Sequence, residues 1–119
     1  VYFVPGGMQI QLIKNSSNDV QIIIKEEPIN SLYKPSVDIM LETVVNIYGK
    51  YALAIIMTGM GKDGLEGVKK LKRIGGYSIA QDESTSVVYG MPRVIAEANL
   101  ADVVAPLDKI PNLINEAIL

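Results

Sequence analysis

Tyr51-Ala52-Leu53-Ala54-Ile55-Ile56-Met57-Thr58 runs without a break into Gly59-Met60-Gly61-Lys62-Asp63-Gly64, and the fold turns on how that junction is read. An apolar run of this length suits a strand buried on both faces, the kind a parallel sheet needs. Three glycines and an acid then end it, and Leu65, Val68 and Leu71 resume at helical spacing. A buried strand that exits through a tight turn into a helix is the building unit of an α/β sheet. Such sheets collect ligands and chemistry at the carboxyl ends of their strands, which is where Thr58 to Gly64 lies.

Working outward, Leu65 to Ile74 is predicted as a helix with Lys69, Lys70 and Arg73 on a solvated face, ended by Gly75-Gly76. Tyr77 to Ala80 is the next strand, Ser84 to Ala98 one helix or two short ones broken near Gly90-Met91-Pro92, Asp102 to Ala105 a last strand, and Ile110 to Leu119 a last helix with Leu113, Ile114 and Ala117 inward. Upstream, Ser36 is placed to cap a helix whose apolar stripe is Val37, Met40, Leu41, Val44, Val45 and Tyr48, with Gly49 as its stop. Lys25 to Lys34 reads as a loop. Gln9 to Leu12 and Val20 to Ile24, joined by Asn15 to Asp19, read as a hairpin at a sheet edge, and Val1 to Val4 as a short strand stopped by Pro5-Gly6-Gly7. The predicted fold is a doubly wound, mostly parallel α/β sheet with helices on both faces and an antiparallel edge hairpin, in one domain-sized unit over 1–119.

Composition narrows the function. Eleven basic and 13 acidic residues are mixed along the 119, a formal charge of -2, so there is no basic footprint for nucleic acid or an anionic membrane. No apolar stretch reaches the length of a spanning helix, and a soluble chain without membrane insertion is expected. There is no cysteine, which excludes disulfides and thiolate chemistry in these residues and suits a cytoplasmic home. There is also no histidine, and Val1 already stands inside an apolar run, so the chain reads as a piece of a longer one.

On the residues alone, three readings of the turn stay open. Gly59-x-Gly61-x-x-Gly64, with Asp82 about 18 residues on, is the lettering of a dinucleotide site, but Asp63 would place negative charge where the pyrophosphate must sit. Asp63 would equally serve as N-cap of the helix that follows, its carboxylate accepting from Leu65 or Glu66, with Glu66 reaching back. In the third reading Asp63 is the orienting acid of a hydrolytic triad whose histidine and nucleophile come from elsewhere. Asp82 and Glu83 are adjacent acids without further ligands, which do not make a metal site. No cofactor and no metal are assigned.

The runs Lys34-Pro35-Ser36-Val37-Asp38, Ile56 to Gly64, Ile79-Ala80-Gln81-Asp82-Glu83-Ser84 and Ser86 to Arg93 resemble, in order and spacing, the catalytic domain of chemotaxis response-regulator protein-glutamate methylesterases. Val1 to Gly6 and Ala101 to Leu107 fit the same pattern. The resemblance implies a doubly wound fold, a serine-histidine-aspartate triad, hydrolysis of methyl esters on glutamates of chemotaxis receptors, deamidation of receptor glutamines, and an upstream receiver domain. It places the triad acid on Asp63 and an oxyanion-hole amide on Met60. It places the serine and histidine ahead of Val1. Where the family commonly shows histidine and methionine after the Pro-Gly turn, this chain has Gln9 and Ile10. Arg93, by its place in the motif, is a candidate for substrate approach.

No serine here has the glycine-flanked strand-to-helix setting of that nucleophile. The expectation is a carboxy-terminal part of a methylesterase domain bearing one of three triad side chains and inactive alone, with an exposed sheet edge and apolar surface that lead to self-association or partial order in solution. The alternative is a receptor-binding or regulatory module that keeps the fold without the chemistry.

Overall fold

The computed structural model describes residues 1–119. The elements are β1 (Gln9–Lys14), β2 (Val20–Lys25), α1 (Val37–Tyr48), β3 (Leu53–Ile56), α2 (Leu65–Arg73), β4 (Tyr77–Gln81), α3 (Met91–Glu97), β5 (Val103–Ala105) and α4 (Ile110–Ile118), with short 3-10 turns at Gly49–Tyr51 and Leu107–Lys109. Strands β3, β4 and β5 form a parallel sheet in that order, in register Leu53 to Tyr77 and Ile79 to Val103.

Alternation along these strands divides the core. Ala54, Ile56 and Ala80 face one way and pack with Leu41 and Val45 of α1, Val68 and Leu71 of α2, and Ile95 of α3. Leu53, Ile55, Ile79, Val103 and Ala105 face the other way, onto Ile110, Leu113 and Ile114 of α4. Helices on both faces of a parallel sheet are the predicted arrangement. Gly67 lets α1 and α2 approach: a Cβ there would lie 2.7 Å from the Leu41 Cβ. Lys69 pairs with Glu66 at 2.8 Å on the outer face of α2, and Lys70 pairs with Glu42 of α1.

Several expectations are corrected. Val1 to Val4 is not a strand: nothing in residues 1–119 offers it a ladder partner, and Tyr2 and Phe3 stand exposed. The hairpin forms as predicted, but as a separate two-stranded antiparallel sheet rather than the edge of the parallel one. It lies against α1, where the Leu12 N–H donates to Thr43 Oγ1 at 3.0 Å.

Residues 84–90 are not helical. Asp82 Oδ1 accepts from the Thr85 N–H and hydroxyl, and Thr58 Oγ1 accepts from the Val88 N–H at 2.9 Å, so those groups are taken by tertiary partners and only Met91–Glu97 winds into helix. Ala117 is exposed on α4 rather than inward.

Strand β3 pairs on one side only, with β4, so its other edge is unpaired.

Candidate active site

The site lies where β3 ends. Gly59 pairs with Tyr89 as an isolated parallel bridge, so the turn is held against residues 86–90. Thr58 fixes its start. Its N–H donates to Gln81 Oε1 at 2.8 Å, and its hydroxyl donates to Val88 O at 3.1 Å. Gln81 is 1% exposed, and its Nε2 donates onward to Thr85 O at 2.8 Å. A buried carboxamide thus uses both ends to clamp the turn to the next strand's loop.

The next peptide is fixed more tightly. Gly59 O accepts from the Gly90 N–H at 3.1 Å and the Met91 N–H at 2.9 Å. A trans peptide points its C=O and N–H to opposite sides, so pinning the Gly59 oxygen on the start of α3 aims the Met60 N–H the other way. That N–H finds no acceptor within the protein, and the Met60 side chain is 79% exposed. The crowding admits only glycine at Gly90, where a Cβ would lie 2.6 Å from Gly59 O. An aimed, unshared amide is what an oxyanion requires.

Asp63 is buried, 6% exposed, and it caps a different helix from the one that follows it. Its Oδ1 accepts from the Ser36 hydroxyl at 3.0 Å and the Asp38 N–H at 3.0 Å, and its Oδ2 accepts from the Val37 N–H at 2.7 Å. The first turn of α1 supplies all three donors. The expected cap on Leu65 or Glu66 is therefore corrected: Gly64, with φ +102°, is N-cap of α2, and the Glu66 carboxylate pairs with Lys69 instead. The cause is geometric: residues 59–64 swing the carboxylate across to α1, whose orphan amides lie closer than those of its own helix. Two carboxylate oxygens have about four acceptor positions between them, so one on Oδ2 stays open to a further donor.

The amides at the start of α2 are partly served by Asp38, whose Oδ1 accepts from the Gly67 N–H at 2.7 Å. Burial pushes the Asp38 carboxyl up, partly countered by that Gly67 N–H and reinforced by the charge of Asp63. A pyrophosphate on this helix would meet the carboxylate of Asp38 already in place. Asp82, the proposed ribose acid, spends its oxygens on Thr85 and Ser84, and the Thr85 hydroxyl foremost among these donors holds its carboxyl below the ordinary range. The glycine lettering is a strand-to-helix turn and not a dinucleotide site. Arg93 is exposed on α3 and reaches only Glu97, at 4.0 Å.

Ser36 is N-cap of α1 as expected, accepting from the Ile39 N–H. Its second role as a donor to Asp63, and the buried positions of Gln9 and Gln81, carry no local pattern in the sequence. Gln9 and Gln81 stand at the ends of their strands, where the letter pattern gives no sign that a polar side chain is buried.

At one strand exit the α/β sheet thus carries an unshared backbone amide and a buried carboxylate with an acceptor position to spare. A sequence model of the CheB methylesterase family matches residues 1–114, and the chain belongs to that family. Among curated relatives, the protein-glutamate methylesterase/protein-glutamine glutaminase of Desulfitobacterium hafniense is 48% identical over 118 residues, covering 99% of this chain and 30% of the relative. The one from Moorella thermoacetica is 50% identical over 107 residues, covering 89% of this chain and 25% of its own length. The crystal structure of the Thermotoga maritima CheB methylesterase catalytic domain superposes with a TM-score of 0.87 at 38% identity, covering 94% of this chain and 59% of that one. The chain thus spans well under half the length of these full relatives and somewhat over half of the solved domain.

Proposed function

We propose that residues 1–119 are the carboxy-terminal part of the catalytic domain of a serine-type protein-glutamate methylesterase, a cytoplasmic hydrolase acting on methylated chemotaxis receptors and restrained by a receiver domain in the same parent protein. Asp63 orients the histidine base, and the Met60 N–H holds the oxyanion. The serine and histidine come from the rest of the parent.

The reaction needs few parts. Serine adds to the glutamate γ-carbonyl as histidine takes its proton, and the carbonyl oxygen gathers charge against the Met60 N–H. The ester C–O bond breaks, histidine returns the proton, and methanol leaves. Water then attacks the acyl-enzyme by the same base and frees the carboxylate. On glutamine the same path would release ammonia, and the relatives are named for both activities. No helix in residues 1–119 is long and apolar enough to cross a membrane.

The observation that supports this most is the Asp63 carboxylate, buried and held by three donors with an acceptor position to spare. Locked orientation with residual acceptor capacity is what a triad acid needs, and a mere cap does not require it. The test is methanol release from a methyl-esterified chemoreceptor by the full-length protein and by its Asp63→Asn variant. Equal rates would overturn the reading.

A further inference from the structure

Gln9 is fully buried, at 0% exposure, in a hairpin whose other side chains are mostly half-buried or exposed. A carboxamide taken fully out of water must be hydrogen-bonded or it destabilises the fold. Both its ends are used, and both lead to the site. Oε1 accepts the Ser36 N–H at 2.8 Å, and Ser36 in turn donates its hydroxyl to Asp63. Nε2 donates to Tyr33 O at 2.7 Å. Tyr33 itself lies against the turn, its hydroxyl 2.7 Å from where a Cβ on Gly61 would stand.

One rigid amide therefore sets the two ends of the segment from Tyr33 to Ser36, and that segment is the approach to the first turn of α1. The donors that hold Asp63 come from Ser36, Val37 and Asp38, directly downstream of the atom that Gln9 grips. A carboxylate whose three donors share one anchor follows any displacement of that anchor. We infer that Gln9 is a positioning residue for Asp63, acting through the backbone of Ser36 and setting the angle at which the carboxylate meets its histidine. The inference rests on the triad reading of Asp63 given above.

The chemistry specifies which replacements work. The site needs one acceptor and one donor about a side chain's length from the β1 backbone. Neutral imidazole offers both, on separate ring nitrogens, leucine offers neither, and glutamate offers acceptors only.

The test compares Gln9→Leu, Gln9→His and Asp63→Asn in the full-length protein, following methanol release from a methyl-esterified chemoreceptor with kcat and KM separated. Gln9→Leu is expected to lower kcat about 10- to 100-fold, the loss that a misplacement near 1 Å produces, with KM unchanged. Gln9→His is expected to restore kcat. Should Gln9→Leu fail to fold, Gln9→Glu takes its place and is expected to lower kcat while Gln9→His does not. Asp63→Asn separates the two claims. If it abolishes turnover while Gln9→Leu or Gln9→Glu leaves kcat at the wild-type value, the positioning role is refuted and the triad reading stands. If Asp63→Asn leaves turnover intact, both fall. Equal loss of activity in Gln9→His and Gln9→Leu, matched to the folded fraction of each, would also overturn the inference.

Discussion

The Val37 N–H donates to Asp63 Oδ2 at 2.7 Å across 26 residues of chain, so an acid in one strand-exit turn caps a helix that precedes it. On the triad reading proposed above, stability and catalysis draw on the same side chain, because Oδ2 accepts from Val37 and also carries the open acceptor position. Asp63→Asn keeps an oxygen for part of the cap and loses the charge that a histidine partner needs. In the full-length protein it is expected to lower kcat by about 10⁴-fold, the effect of neutralising a triad acid. Asp63→Ala leaves the α1 amides and the Ser36 hydroxyl without their acceptor and is expected to lower stability by about 1–3 kcal/mol as well. Urea unfolding beside methanol release separates the two effects.

Residues 1–119 purified alone should release no methanol from a methylated receptor above a buffer blank, while the full-length protein does. A lone carboxylate has nothing to orient, and the members of a triad act as a unit. Turnover by the isolated chain would show that some serine within it acts as the nucleophile.

Gly90→Ala tests the aimed amide. The new methyl would meet the backbone oxygen of Gly59 at 2.6 Å, where no flexible side chain can give way. Relief requires the Gly59-Met60 peptide to rotate or the 86–90 segment to retreat, and either one misdirects the Met60 N–H. The expected outcome is a fall in kcat of about 10²-fold, the range for losing one oxyanion donor, with a modest change in melting temperature. Wild-type kcat with a lowered melting temperature would remove Met60 from the site.

Two carboxylates are expected to show opposite pH linkage. Asp38 has its folded-state pKa raised above the ordinary 3.8, chiefly by burial, so the folded chain binds more protons than the unfolded one just above that value. Stability contributed there falls as pH rises through the window. Burial likewise pushes Asp102 up, but hydrogen bonds from Lys72, at 2.5 Å, and from the Ser78 N–H outweigh it, and its pKa lies below 3.8. Its contribution is present above 3.8 and is lost as pH falls through the depressed value. Relative to wild type, Asp38→Asn should therefore gain stability on going from acid to neutral pH, and Asp102→Asn should lose it. Urea midpoints on both sides of pH 3.8 check the signs.

What could be read from the sequence was whatever a local pattern encodes. The apolar run at 51–58, the stripe from Val37 to Tyr48 and the glycine stops located the sheet and its helices, because burial and backbone freedom leave periodic marks. The strand proposed at Val1 to Val4 failed because a strand depends on its neighbour, and the hairpin was assigned to the wrong sheet for the same reason. Ser84 to Gly90 had helical letters, but Asp82 and Thr58 claim their hydrogen-bonding groups. At the site, the turn and the aspartate were visible. The direction of the carboxylate was not, since nothing near Asp63 in sequence announces that amides at 37 and 38 are closer in space than those at 65 and 66. Gln9 and Gln81 were equally silent, because their partners lie 27 and 23 positions away.

Planting the acid in another helix's first turn has a diagnostic consequence. Whatever frays the start of α1, from a substitution at Ser36 to strain passed down the loop at 26–35, would release Asp63 while the parallel sheet stays intact. On the triad reading, such a lesion would present as lost turnover with near-normal circular dichroism, although the substituted residue need not itself touch the ester. Inactive alleles mapping to that loop are then best sorted by amide exchange at Val37 and Asp38 before a substrate-binding role is assigned to them.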